Sequence, residues 1–184
     1  MVGTGALAPH VIESHAVVRP ISAVRIWGRR VAAAHAVAQA LSGQAFGVEA
    51  VEDLQAAVGW ADIISCATLS DRPLVRGAWL RPGQHVDLIG AFTPAMREAD
   101  DEALQRASIH VDTRAAALLE SGELIHAISN GSITAASIRG DLTDLTRGSS
   151  GGRSSAAEIT LFKSVGCALE DLAAAQLALG GLTP

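Results

Sequence analysis

The sequence predicts an α/β fold in which a doubly wound parallel sheet is covered by helices on both faces. Three observations carry this expectation. Short apolar runs of strand length alternate with helical stretches through most of the 184 residues, a rhythm that parallel strands with helical crossovers produce. The turn "GTGALA", residues 3–8, runs directly into a helical stretch, as in folds where a helix N-terminus receives a phosphate. The run "ADIISCAT" is apolar on both faces, which suits a strand buried between two helix layers.

Taken in order, the elements are as follows. Only Met1 and Val2 precede the glycine turn, where about five residues of strand are typical. The first strand is therefore expected to be truncated, and its place in the doubly wound order is central, between "AVRIW" and "DIISC". "LAPHVIESHAVV" reads as a helix with Pro9 tolerated in its first turn. "AVRIW" (Ala23 to Trp27) is a strand and "RVAAAHAVAQAL" an alanine-rich helix. "FGVEAV" is another short strand, followed by a helix from about Asp53 to Trp60 and by the strand "DIISCAT". A Pro-Gly turn feeds a strand from His85 to Ile89. "READDEALQRA" is an acidic helix and "SIHVD" a strand, and the helix "AAALLESGEL" is expected to stop at Gly122 in the left-handed conformation. The Gly/Ser-rich stretch Arg147 to Ser155 reads as a linker or turn. After it, Ser155 to Glu158 has the spacing of a capping box, which predicts a helix carrying Ile159, Phe162, Leu169, Leu172 and Leu177 on or near one face.

Composition narrows the function classes. Apolar residues make up 49% and charged residues 18%, a globular balance. A net charge of −5 without a basic cluster argues against a nucleic-acid partner. The apolar runs are too short to span a bilayer, and the opening residues lead to the expectation of no secretion signal. Cys66 and Cys167 stand far apart and outside any CxxC pair, which suits reduced thiols and a cytoplasmic location. The six histidines are scattered, and no metal site is expected.

The residues with chemical meaning cluster at the strand ends. Gly3 and Gly5 with the small Ala8 would let a pyrophosphate approach the backbone. The strand "AVRIW" ends in "GRR", with Gly28 where an NAD-selecting acid would stand, followed by Arg29 and Arg30. Guanidinium groups grip a 2′-phosphate bidentately, so NADP(H) is favoured over NAD(H). The bland alternative is two solvated arginines opening a helix.

These segments together resemble the ornithine cyclodeaminase/mu-crystallin family, over nearly the whole chain. "GTGALA" is similar to its phosphate loop and "VRIWGRR" to its second strand. "ADIISCAT", "RPLVRGAWLRPGQHVDLIGAF" and "VDTRAAALLESGEL" are similar to its nicotinamide-side segments, and "GRSSAAEITLFKSVGCALEDLAAA" is the most specific match. The resemblance implies a Rossmann-type domain over residues 1–150 with its first strand truncated. It implies that residues 151–184 form a helix returning to a second, largely missing domain that binds substrate and forms a homodimer. It places Gly3, Thr4, Gly5, Ala6 and Leu7 at the pyrophosphate and Thr68 against the cofactor. Asp87, Leu88, Ile89 and Gly90 should run past the nicotinamide. Ser164 should reach the cofactor and Val165 the substrate, with Gly166 marking a close backbone approach within the helix.

One departure directs the choice of reaction. Cyclodeaminases of the family carry an aspartate after the fourth strand, and "GAFTPAMRE" has Phe92 in its place. A phenyl ring cannot accept a proton. The resemblance therefore implies an NADP(H)-dependent reductase of cyclic ketimines such as 1-pyrroline-2-carboxylate and 1-piperideine-2-carboxylate, giving proline or pipecolate. The alternatives are a cyclodeaminase or alanine dehydrogenase of the family, or a nucleotide-binding, crystallin-like protein without turnover. His85, Asp87 and Glu98 lie near the nicotinamide end in sequence. Asp87 reads better as a hydrogen-bonded strand residue and Glu98 as a helix opener favoured by the dipole, so no catalytic acid is assigned.

Overall fold

The computed structural model describes residues 1–180. The elements run α1 (Leu7–Val18), β1 (Ala23–Trp27), α2 (Val31–Ala40), β2 (Gly47–Val51), α3 (Leu54–Trp60), β3 (Ile63–Cys66) and β4 (His85–Leu88). They continue through α4 (Asp101–Arg106), β5 (Ala107–Val111), α5 (Arg114–Glu120), α6 (Gly122–Ser129), β6 (Ile138–Asp141), α7 (Leu142–Arg147), β7 (Ile159–Lys163) and α8 (Ala168–Gly180). Several helix starts are set by a single aspartate that accepts from the first turn. Asp53 accepts from Ala56 N–H (2.9 Å), Asp100 from Ala103 N–H (2.9 Å) and Asp141 from Asp144 N–H (3.0 Å).

All strand pairs are parallel, as the alternation predicts. Five strands lie in the order β3-β4-β7-β5-β6 and two more pair as β1-β2. Val2 joins the two groups, bridging Trp27 on one side and Cys66 on the other. Its N–H donates to Ser65 O (2.8 Å), its carbonyl accepts from Ala67 N–H (2.9 Å), and Trp27 N–H donates to Met1 O (2.9 Å). Val2 thus sits where the doubly wound order puts the first strand. Below Val2, β1 and β3 separate around a cleft of about 380 Å³ walled by Val24, Ile64, Ile12 and Leu54. The Met1 amine lies at its head, donating to Arg25 O (2.7 Å).

The core follows from this layering. Val86, Leu88, Ile109, Val111 and Leu161 stack along the central strands, each at most 1% exposed. A smaller cluster of Ile12, Ile26, Ala34 and Leu41 fastens α1 and α2 to β1.

Three expectations are corrected. Residues 155–158 open no helix: Glu158 does reach back, but its carboxylate takes Ser154 Oγ (2.8 Å), Ser154 N–H and Ser108 Oγ. Ser155–Glu158 closes as a turn, with Glu158 N–H on Ser155 O (3.2 Å). The chain then enters β7, whose residues Ile159–Lys163 pair with Ala107–Val111 on one side while Thr160–Lys163 pair with His85–Leu88 on the other. Ile159 and Phe162 therefore belong to the sheet, residues 151–167 form no helix, and within the expected helical span only Ala168–Gly180 is helical among the described residues. Leu169, Leu172 and Leu177 on α8 are exposed.

Gly166 precedes α8 at φ +91° instead of lying within a helix. Gly122 does not end a helix in the left-handed region. It begins α6, and a side chain there would collide with Met96 O. Strand β6 was not anticipated, because "IRGD" alternates a buried Ile138 and Gly140 with an exposed Arg139 and offers no apolar run.

Candidate functional site

Because all strands run parallel, their carboxyl ends gather on one edge, where helices begin and backbone groups turn outward. The first loop there is set by Gly3, held at φ +115°, where an added Cβ would stand 2.5 Å from Ala67 O. Its N–H donates to Trp27 O (2.9 Å), fastening the turn to the end of β1. Gly5, Ala6 and Leu7 follow at the start of α1. Among the described residues no acceptor takes their three N–H groups. A helix N-terminus in that condition attracts anions.

A cleft of about 440 Å³ opens beside this turn. Gly3, Thr4 and Gly5 form one wall, Gly28, Arg29 and Arg30 a second, and Thr68 a third. A Cβ at Gly28 would lie 2.7 Å from Thr4 Cγ2, so the position tolerates little beyond glycine while Thr4 keeps its rotamer. Arg29 and Arg30 are both exposed at the rim. Arg25, one turn of strand earlier, is instead committed to Glu49 (2.7 Å) and stacks over Trp60.

The second half of the edge is organised by buried charge. Glu98 is fully buried and accepts four hydrogen bonds. Oε1 takes Thr68 N–H (2.6 Å) and Thr68 Oγ1 (2.8 Å), and Oε2 takes Gly90 N–H (2.8 Å) and Ala91 N–H (3.2 Å). Burial nevertheless pushes its carboxyl above the usual range, with the Thr68 and Gly90 donors and the Lys163 ammonium opposing. Lys163, at the end of β7, donates to Ala91 O and pairs with Glu123 at 3.6 Å, both side chains having no exposure. Glu123 in turn accepts Glu98 N–H (2.6 Å).

Beside this group Asp112, at the end of β5, gathers the turn after β7. Its Oδ2 accepts Ser164 Oγ (3.0 Å), Val165 N–H (2.7 Å) and Gly166 N–H (2.7 Å). Ser164 and Val165 are thus held beside the end of β4, where Ser164 N–H donates to Leu88 O (3.0 Å). Phe92 follows Ala91 and is 47% exposed, an apolar face beside an otherwise polar edge.

Two expected site residues turn inward. The Asp87 carboxylate is buried in the sheet, accepting Ser65 Oγ (2.9 Å) with His15 Nε2 at 3.3 Å. Leu88 is wholly enclosed in the core. The strand alternation that buries Asp87 and Leu88 on opposite faces leaves only main chain to face the edge. Ile89 ties its N–H to Cys66 O (3.0 Å), and at Gly90 a Cβ would overlap Thr68 N and O. His85 begins β4 at the opposite end of the strand. There it shares a hydrogen bond with Thr160 Oγ1 (2.8 Å), and burial lowers its pKa. Glu98 opens no helix, since α4 starts at Asp101. Asp112, Glu123 and Lys163 escaped the sequence reading. Their only trace there is a charge beside an apolar run, as in "ITLFK".

Residues 1–179 match the ornithine cyclodeaminase/mu-crystallin family. The chain belongs to that family. Within it, the chain is 47% identical over 173 residues to a delta(1)-pyrroline-2-carboxylate reductase of Paracoccus denitrificans, covering 94% of this chain and 55% of the relative. It is 36% identical over 154 residues to the ketimine reductase mu-crystallin of Macropus fuliginosus, covering 84% and 45%. The solved delta(1)-pyrroline-2-carboxylate reductase of Thermococcus litoralis, in complex with NADH and L-proline, superimposes with a TM-score of 0.93 at 32% identity. That match covers 96% of this chain and 55% of the other. The chain therefore spans about half the length of these family members.

Proposed function

We propose that this chain supplies the nicotinamide-nucleotide site of a reductase that acts on the C=N bond of cyclic ketimine acids, with NADP(H) preferred. The observation that carries the reading is the carboxyl edge itself. A left-handed glycine turn with no room for a side chain, a helix N-terminus with free N–H groups and two rim arginines all open on one cleft. Gly5 fits a pyrophosphate, because nothing lies within 4 Å of where a Cβ would stand, and Gly3 shapes the turn that presents it. Arg29 and Arg30 fit a 2′-phosphate, and no carboxylate stands at position 28 to repel it. The pyrroline-carboxylate and ketimine reductases among the relatives, one of them bound to NADH and L-proline, support the reaction class.

When bound, the cofactor supplies hydride. The chain's own residues would do the positioning. The N–H groups of Gly5, Ala6 and Leu7 neutralise the pyrophosphate, while Thr68, Ile89, Gly90 and Ser164 border the nicotinamide side. Val165 and Phe92 then offer apolar contact to a cyclic substrate. Phe92 cannot take a proton from an amine, which favours reduction of a preformed imine over cyclisation of a diamine.

Fluorescence titration of the 184-residue chain tests the nucleotide reading. NADPH is expected to bind at least tenfold tighter than NADH, a difference of about 1.4 kcal/mol. Equal affinities would remove the NADP(H) preference, and no binding of either would remove the function. With the chain joined to the rest of a family-length polypeptide, ketimine acids should drive NADPH oxidation and ornithine should release no ammonia. Ammonia from ornithine would restore the cyclodeaminase reading.

A further inference from the structure

We propose that Glu98 is a positioning residue that fixes the width of the nicotinamide slot by holding its two bordering loops on one carboxylate. This rests on the nucleotide reading above and extends it to a residue that touches no ligand. Thr68 follows β3 and Gly90–Ala91 follow β4, so the two loops belong to different strand–helix units. Each brings backbone N–H groups to the interior that no strand accepts. Glu98 satisfies them with its two oxygens, one per loop, at 2.6–3.2 Å. The carboxyl takes backbone N–H donors on both oxygens, so each oxygen is tied to one loop. Its rigid planar head then converts the spacing of its oxygens into the spacing of the loops.

The surroundings show that this spacing is tightly held. At Gly90 a Cβ would overlap Thr68 N and O and stand 2.6 Å from Glu98 Oε1, so the loops are already in backbone contact. Lys163 grips the same loop from the other side through Ala91 O and anchors on Glu123, which in turn accepts Glu98 N–H (2.6 Å). Three fully buried charged side chains are a costly way to fill a core. Apolar residues of similar volume are often at least as stabilising. Geometry at the edge gives the arrangement a use that packing alone would not require.

The test is the E98Q variant of the 184-residue chain, probed with NADPH and with 2′-phospho-ADP-ribose, which lacks the nicotinamide. Glutamine keeps the volume, but its amide NH₂ must face the N–H donors of one loop and releases it. NADPH affinity is expected to fall at least tenfold while 2′-phospho-ADP-ribose affinity stays within about twofold. E98D, which keeps the charge but is too short to reach both loops, should show the same selective loss. Unchanged NADPH binding in E98Q would overturn the proposal. So would an equal loss of both probes, or the absence of a cooperative melt in both variants, since either would assign Glu98 to general fold stability. Wild-type chain that binds neither probe would instead refute the nucleotide reading, a result distinguishable without any variant.

Discussion

Gly3 answers to two constraints at once, a φ of +115° and a Cβ position 2.5 Å from Ala67 O, whereas Gly5 two residues later meets nothing within 4 Å. Alanine at these positions should therefore separate fold from ligand. Gly3→Ala is expected to lower the melting temperature sharply, because a left-handed backbone and a backbone clash together cost at least about 1–3 kcal/mol. Gly5→Ala should melt with the wild type yet bind NADPH more weakly. If both melt alike, the strain at Gly3 is not what the geometry implies. At the rim, Arg29→Asp should narrow or reverse the preference for NADPH over NADH in the same titration. Both glycines and both arginines were legible in the sequence, since a turn and a strand end are read from local spacing. Glu98 and Lys163 were not, because their roles depend on partners 30 and 72 residues away.

The stretch from Ser154 to Lys163 shows how an element can be misread when its local signals are ambiguous. Ser155–Glu158 has capping-box spacing, and helical periodicity can be traced through Ile159 and Phe162. However, the buried-alternating pattern of "ITLFK", in which Ile159, Leu161 and Lys163 face inward, is the strand period. Two open neighbours, β4 and β5, decide between the readings, and neither is visible from the segment itself. Glu158 then serves the strand start. Donors on Ser108 and Ser154 hold its carboxyl at about 2, below its ordinary 4.5. A carboxyl depressed on folding contributes stability above pH 4.5 that fades as pH falls towards 2. Glu158→Gln should lose this part of the acid sensitivity in melts between pH 3 and 7. An unaltered profile would show that Glu158 is not held this way. At the far end of β7, Gly166→Ala should cost about 1 kcal/mol for its positive φ, read from denaturant midpoints.

For the molecule as a whole, the open seam is the one between β1 and β3, which Val2 bridges above the 380 Å³ cleft. The expected place of the first strand was legible from fold rules, but its consequence for the terminal amine was not. Burial lowers the Met1 amine from 8.0 to about 6. Between those values the unfolded chain holds more proton than the folded one, so stability should rise as pH goes from 6 to 8. The gain is on the order of 2 kcal/mol for a chain with a free Met1 amine. Acetylating that amine should flatten the profile, and an unchanged slope would place the amine in water.

The position of β7 also bears on the order in which the molecule can be made. It is the last strand among the described residues but lies between β4 and β5, so Ala107 waits for Ile159 and His85 for Thr160. During synthesis the five-stranded layer cannot close until residues 159–163 have left the ribosome. Until then β4 and β5 each present an unpaired edge to other chains. Such distant pairing raises contact order and slows folding. Nascent chains stalled before residue 155 should therefore remain protease-sensitive through β4 and β5 and bind chaperones. Extension past Lys163 should bring protection to both strands in a single step.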